Sequence, residues 1–118
     1  MGLDTIAMLE WKDGEYKEAP SEWFEGTPRL VRGVFGESSW LRGKVYNTLI
    51  QRVTGYSLYS NLNNEAVRDL SNKLNEYTFI HCASPANRVE QISCEELKEL
   101  NLWFKTAAEK GCFLNAWY

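Results

Sequence analysis

The chain is poor in the residues that most catalytic and metal sites use. Its 118 residues include one histidine, His81, and only three cysteines. A catalytic triad would have to use His81, and no serine lies in the GxSxG pattern of a nucleophile elbow. The sequence also lacks a phosphate-binding loop, a dinucleotide-binding glycine pattern and an EF-hand loop. We therefore expect no cofactor, and an enzyme is the minority interpretation.

The three cysteines, Cys82, Cys94 and Cys112, are odd in number and lack the CxxC spacing. Zinc sites usually draw their ligands in close pairs, so we predict no metal site even though His81 adjoins Cys82. The N-terminal residues lack the basic region of a secretory signal, which favours reduced thiols in a cytoplasmic protein. Cys94 is the better candidate nucleophile, because the first turn of a helix lowers a thiol pKa. The simpler interpretation is that Cys94 is only a small residue after a helix cap.

The sequence has no long apolar run. No segment approaches the roughly 18 consecutive apolar residues of a membrane-spanning helix, so we predict no membrane partner. Hydrophobic residues make up 44% of the chain and charged residues 25%, which is typical of a globular protein and not of a disordered chain. The length and the absence of repeats or linkers predict a single domain over residues 1–118.

The residues in the N-terminal third of the chain predict a small antiparallel sheet. Residues 3–11 have the length and apolar content of a strand, and an Asp-Gly pair then predicts a hairpin with its return strand near residues 15–19. Residues 29–35 predict a third short strand. A further short strand is possible at residues 78–82, where β-branched and aromatic side chains cluster.

The first predicted helix covers residues 39–53. Apolar side chains recur there every four residues, and Gly55 follows the last of them as a helix-ending glycine should. Ser38 or Ser39 would cap its start. Gly43 inside this helix costs about 1 kcal/mol relative to alanine, so either another group packs closely there or the helix begins later. The apolar stripe consists of Leu41, Val45, Leu49 and Val53, widened by Tyr46 and Ile50.

Two further helices are predicted near residues 64–77 and 94–109. The second of them begins with a capping box, in which Ser93 pairs with Glu96. The two aromatic residues at the end of the chain predict that this end packs against the body of the protein or against a partner, and packing onto the sheet is the simpler case. A hairpin and a short strand packed with three helices form an α+β domain.

Charge is unevenly distributed along the chain. Residues 1–28 contain two lysines and seven acidic residues, a net charge of −5, whereas residues 29–55 contain five basic residues and one glutamate, a net charge of +4. One interpretation is a basic surface around the first helix that binds a small anionic ligand. The interpretation that we favour is that the two segments neutralise each other within the fold or across a dimer. Because the whole chain has a net charge of −3, we do not expect nucleic-acid binding.

The basic residues of the first helix do not form one cationic face by themselves. At 100° per residue, Arg42 and Lys44 lie about 160° apart around the helix, on the two sides of the apolar stripe. We therefore predict that Arg42 is mainly an ion-pair partner of the acidic hairpin, with Asp4 or Glu10 as the carboxylate. An anion site would have to recruit arginines from the preceding strand. The candidate ligand-binding residues are Asp4, Arg29, Arg32, Trp40, Arg42, Lys44, Tyr46 and Asn47.

Three segments carry a resemblance to a known group of sequences: MGLD at the start, WLRGKVYNTLIQRVTGYSLY in the centre and AAEKGCFLNAWY at the end. The chain resembles a family of small proteins of unknown function from viral, including phage, and environmental microbial sequences. The resemblance implies a compact single domain in a cytoplasmic or phage-infected-cell setting. It implies no activity, cofactor or catalytic residue. The positions most like the shared pattern are Gly2, Asp4, Trp40, Arg42, Lys44, Tyr46 and Asn47.

These observations favour a small binding or assembly protein that acts through contacts with a protein partner or with a second copy of itself. The alternative is a small enzyme or ligand-binding domain with an anion site near the first helix. The two hypotheses differ in what they require of the surface. A binding module needs an exposed apolar patch, whereas a ligand site needs a concave surface with convergent polar groups.

Overall fold

The computed structural model describes residues 4–10, 16–24, 40–41, 43–83 and 92–117. The elements within these ranges are β1 (Asp4–Glu10), β2 (Tyr16–Glu18), a short 3-10 helix (Ser21–Phe24), β3 (Trp40–Leu41), α1 (Gly43–Thr54), α2 (Asn64–Ala83), α3 (Cys94–Glu109) and β4 (Phe113–Trp117). A small antiparallel sheet with three helices confirms the predicted α+β fold.

Strand β1 is the centre of the sheet and pairs antiparallel with the other three strands. β4 lies along one edge, with Leu114 opposite Ala7. β2 and β3 share the other edge, where β3 is opposite Thr5 and Ile6, and β2 is opposite the C-terminal part of β1. The pairing of β1 with β2 confirms the predicted N-terminal hairpin. The strand predicted at residues 29–35 lies outside the described residues.

The helices pack against one face of this sheet. Ala7 and Leu114 are fully buried in the shared core, and residues that alternate with them along β1 and β4 face the other way. On the 3-10 helix, the Phe24 ring is buried 5.3 Å from the ring centre of Trp103. The helical spacing predicts a buried face of α3 with Leu97, Leu100, Phe104 and Ala107 or Ala108, and all of these are buried. Glu99 and Trp103 are buried as well.

Both longer helices begin where the sequence predicts. The backbone N–H of Ala66 donates to Asn63 Oδ1 at 2.8 Å, so Asn63 caps α2. The backbone N–H of Glu96 donates to Ser93 Oγ at 3.1 Å, so Ser93 caps α3. After α3, Gly111 has a φ of +75°, a conformation that glycine adopts without the steric cost of a Cβ. Local capping chemistry therefore sets these helix boundaries.

The prediction of a strand at residues 78–82 is wrong, because α2 continues through Ala83. The Thr78 hydroxyl donates to the Leu74 carbonyl at 2.7 Å, one helical turn back, and both Thr78 and His81 are buried. These side chains continue the same helical face as Leu74. Burial of that face in the tertiary structure outweighs the β propensity of the segment.

The first helix begins later than predicted. α1 starts at Gly43, and Leu41 instead lies in β3 opposite Thr5, where it is fully buried. The serines predicted to cap the helix, Ser38 and Ser39, lie outside the described residues. The edge of β1 offers backbone hydrogen-bonding groups that a helix over the same residues could not use. Gly43 consequently stands at the first position of the helix and not in its interior.

A disulfide joins Cys82, near the end of α2, to Cys94, the first residue of α3, with 5.4 Å between their Cα atoms. This corrects the expectation of reduced thiols, and it removes Cys94 as a candidate nucleophile. The pairing depends on α2 extending to Ala83, because only then does Cys82 lie beside the start of the antiparallel α3. The spacing in the sequence alone gave no sign of it.

Candidate functional site

The last two turns of α2 expose large apolar side chains to solvent. The core-facing side of the helix is occupied by Val67, Leu70, Leu74, Thr78 and His81. At 100° per residue, Phe79 and Ile80 project on either side of the opposite face, and they are 76% and 51% exposed. Rings and branched aliphatic side chains are usually buried, so two adjacent ones on the surface need an explanation. We call Phe79, Ile80 and the exposed Ala83 the α2 patch.

Concave surfaces flank the α2 patch on both sides. The larger groove has a volume of about 770 Å³ and lies between α2 and the start of α3, with Phe79 and Lys98 among its walls. The smaller groove has a volume of about 380 Å³ and lies between α2 and the end of α1, with Val53 and Ile80 among its walls. Glu76 lines both grooves. The α2 patch is therefore an apolar ridge between two grooves.

Several contacts hold the end of α2 that carries the α2 patch. The disulfide fixes Cys82 to α3, and the Asn101 amide donates to Asn75 Oδ1 at 3.0 Å. His81 Nε2 lies 3.1 Å from the Ile92 carbonyl oxygen, which can only accept, so this nitrogen carries the hydrogen. These bonds give His81 a structural role, and together they fix the position of the helix end that carries the exposed side chains.

The charge cluster beside the smaller groove is also structural. The Tyr56 hydroxyl donates to Asp69 Oδ2 at 2.7 Å, and Lys73 Nζ lies 3.0 Å from the same oxygen. The hydrogen bond from Tyr56, together with that from Lys73, lowers the pKa of Asp69 below its ordinary value. The same contacts raise the pKa of Tyr56 and that of Lys73. The cluster ties the turn after α1 to α2.

We expect Asp69→Asn to lower the melting temperature at pH 7, because the variant loses the charge-assisted bonds to Tyr56 and Lys73. A carboxylate whose folded pKa is depressed stabilises the protein above its unfolded pKa, near 3.8, and loses this contribution as the pH falls through the folded pKa. The two proteins should therefore converge in stability in acid. Thermal melts followed by circular dichroism test this. A gap in melting temperature that stays constant from pH 7 into acid would contradict the ion-pair explanation.

Two of the predicted ligand-binding residues have side chains that the structure describes, and both make bonds within the fold. Tyr46 is buried and its hydroxyl donates to Glu96 Oε1 at 2.9 Å, which joins α1 to α3. Asn47 Oδ1 accepts from the backbone N–H of Leu58 at 2.7 Å. Of the other candidates, Asp4, Trp40 and Lys44 lie in β1, β3 and α1 but their side chains are not described, and Arg29, Arg32 and Arg42 lie outside the described residues. The anion site, and the ion pair of Arg42 with the acidic hairpin, therefore stay predictions.

The remaining cysteine is not suited to catalysis. Cys112 is fully buried, and its desolvation raises the pKa of the thiol to about 11. At neutral pH it is therefore a neutral, enclosed thiol that packs as a small apolar side chain.

We expect Ellman's reagent to detect no reactive thiol in the folded protein near neutral pH, because Cys112 is enclosed and the other two cysteines are bonded to each other. After unfolding in guanidinium chloride without reductant, it should detect one thiol per chain. Three thiols after unfolding would contradict the disulfide. Rapid modification of the folded protein would contradict the burial of Cys112.

The described residues contain neither a metal-binding group of side chains nor a membrane-spanning helix. Among residues 4–10, 16–24, 40–41, 43–83 and 92–117, no three His, Cys, Asp or Glu side chains group so that they could hold a metal ion. Within the same ranges, no helix has both the length and the apolar character needed to cross a lipid bilayer.

The sequence does not reveal the α2 patch, because Phe79 and Ile80 lie in the segment for which a short strand is predicted. Had residues 64–83 been treated as one helix, the buried positions would have placed Phe79 and Ile80 on the outward face. No protein-family model, curated protein or solved structure matches the chain.

Proposed function

We propose that the protein is a binding module that acts through protein contacts, and that the α2 patch is its docking surface. The observation that supports this most is the exposure of two adjacent large apolar side chains, Phe79 at 76% and Ile80 at 51%. Burying such side chains is worth about 1.5–3 kcal/mol each. These side chains are exposed in the single chain, so a partner that buries them is bound with this favourable free energy.

The partner that we propose is a second copy of the chain. A twofold contact uses the same surface on both copies, so that surface must supply both a protrusion and a recess. The α2 patch is a ridge, and the groove of about 770 Å³ beside Phe79 is large enough for an aromatic side chain of the other copy. Ridges that fit into neighbouring grooves are also how helices pack against each other inside proteins.

The charges beside the α2 patch support the same arrangement. Glu76 lines both grooves, while Lys98 lines the larger groove on the side of α3. In a twofold contact, Glu76 of each copy can approach Lys98 of the other. A surface with both signs of charge is complementary to itself, whereas a surface of one sign would repel its own copy.

The setting of this function stays a prediction. The resemblance to small viral and environmental proteins favours a cytoplasm or a phage-infected cell. The disulfide between Cys82 and Cys94 favours an oxidising compartment instead, because thiols in the cytosol are usually kept reduced.

Sedimentation velocity over a range of protein concentrations tests the proposal. We expect a monomer–dimer equilibrium that Phe79→Ser shifts strongly toward monomer. Each dimer loses two buried rings, so the association free energy should fall by about 3 kcal/mol, which is roughly a hundredfold in the dissociation constant. Because Phe79 is 76% exposed in the single chain, its replacement should leave the melting temperature of the monomer almost unchanged.

Leu102→Ser is the matched control, because Leu102 is an exposed apolar residue on α3, 42% accessible, that lines neither groove. It should leave the equilibrium unchanged. A wild-type chain that stays monomeric at every concentration contradicts the proposal. So does a dimer that Phe79→Ser and Leu102→Ser weaken equally.

A further inference from the structure

A further concave surface lies at the opposite end of α2, far from the α2 patch. It is a cleft of about 690 Å³ at the start of the helix and beside β4. Four asparagines meet there, together with apolar walls from Met8 and Phe113; they are Asn61, Asn63, Asn64 and Asn115. The sixteen residues from Asn64 to Ile80 place the two surfaces about 24 Å apart along the helix. An inference about this cleft does not depend on the proposed function.

Two of the asparagines are held by their oxygen atoms. Asn61 Oδ1 accepts from the backbone N–H of Ala116 at 2.9 Å, and Asn63 Oδ1 accepts from that of Ala66 at 2.8 Å. Since a backbone N–H can only donate, these bonds fix which end of each amide is the oxygen. Within the described part of the chain the Nδ2 groups of both residues make no hydrogen bond, so each retains two donors.

The other two asparagines add acceptors to these donors. Asn64 Nδ2 donates to the Cys112 carbonyl at 2.9 Å and to the Ala108 carbonyl at 3.4 Å, which leaves Oδ1 as an acceptor. Asn115 projects from β4, and among the described residues its amide has no hydrogen-bond partner. The cleft therefore combines donors and acceptors on side chains, three of which are already held in place by backbone bonds.

The chemistry of this lining selects a class of ligand. None of the described residues that line the cleft is charged, so the lining supplies no counter-charge to an ion. A hydroxyl group both donates and accepts hydrogen bonds, and the asparagine amides offer acceptors and donors for both. The half-buried Phe113 ring offers an apolar surface for C–H groups. A neutral ring that carries several hydroxyls and an apolar face fits all three features.

We propose that this cleft is a binding site for a saccharide. The protein supplies amide hydrogen bonds to the sugar hydroxyls, and Phe113 packs against the face of the sugar ring. Because three of the four asparagine amides are held by bonds to the backbone, they lose little conformational freedom when a ligand binds.

Titration of the isotope-labelled protein with D-galactose, D-mannose or N-acetyl-D-glucosamine, followed by NMR, tests this inference. We expect at least one of these sugars to shift the side-chain amide signals of the four asparagines in a saturable way. The dissociation constant should be on the order of 1 mM, as befits a small ligand in an open cleft. Asn115→Ala removes an amide that makes no described bond, and it should weaken binding about tenfold while leaving the fold intact.

Asn72→Ala, at an exposed asparagine of α2 that does not line the cleft, is the control and should bind the sugar normally. The proposal is overturned if none of the three sugars shifts these amides at about fifty times that dissociation constant. It is also overturned if the two variants bind equally well. Stronger binding of inorganic phosphate at the same amides would overturn the assignment of a neutral ligand.

Discussion

Trp103→Ala should lower the free energy of unfolding by about 4 kcal/mol, the largest loss that we expect from a single substitution. The Trp103 side chain is fully buried. Its ring centre lies 5.3 Å from that of Phe24 and 5.1 Å from that of Phe104, the latter edge to face. Alanine would leave a cavity between α3 and the 3-10 helix that these rings cannot fill. Urea denaturation followed by circular dichroism measures the loss.

Trp23→Ala is the control for this prediction. Trp23 is only partly buried, and Lys110 Nζ lies 5.4 Å from the centre of its ring. Its removal should cost about 1 kcal/mol, mainly from the lost contact between the cation and the ring. Trp103→Phe should lie between the two alanine variants, because it keeps an aromatic ring in the site. Equal losses for Trp103→Ala and Trp23→Ala would contradict the central position of Trp103 in the core.

The second large effect should come from the disulfide. Cys82 and Cys94 are separated by 12 residues in the sequence. A cross-link over a loop of this length stabilises a protein by about 3 kcal/mol, largely by restricting the unfolded chain. Replacing both cysteines by serine should therefore lower the melting temperature by roughly 12 °C or more.

The double variant also supplies its own control. A reductant should lower the melting temperature of the wild-type protein toward that of the double variant, and it should leave the double variant unchanged. If a reductant leaves the wild-type melting temperature where it was, the two cysteines are not bonded in solution.

The fold could be predicted from the sequence where local signals decide the structure. The start of α3 follows from Ser93, whose hydroxyl satisfies a free backbone N–H, and its buried face follows from the spacing of Leu97, Leu100 and Phe104. The hairpin of β1 and β2 follows from an Asp-Gly pair between two segments of strand length. These signals lie within a few residues of the structure that they determine.

The sequence was least informative where distant segments decide the structure. β3 forms because Trp40 and Leu41 pair with an edge of β1, and no local sequence pattern predicts this pairing. β4 pairs with β1 from the far end of the chain, and only its packing onto the sheet was predicted, from the two aromatic residues there. The true length of α2 depends on the burial of Thr78 and His81, which outweighs the β propensity of that segment.

The candidate site shows the same limit. The distribution of charge predicts an anion site near the first helix. In the structure, Tyr46 and Asn47 of that helix instead hold neighbouring elements together. The α2 patch could be recognised only once Phe79 and Ile80 were known to lie on the outward face of a helix. The asparagines of the cleft come from the segment leading into α2, from the first residue of α2 and from β4, so their convergence depends on the tertiary fold.

Photo-crosslinking from position 79 tests the central claim most directly. A chain that carries p-benzoyl-phenylalanine in place of Phe79 should, on irradiation of the purified protein, form a covalent species with the mass of two chains. The cross-linked peptide should map to the groove between α2 and α3, near Lys98. The same amino acid in place of Leu102 should give no such product. No dimeric product from position 79, or equal yields from the two positions, would contradict docking through the α2 patch.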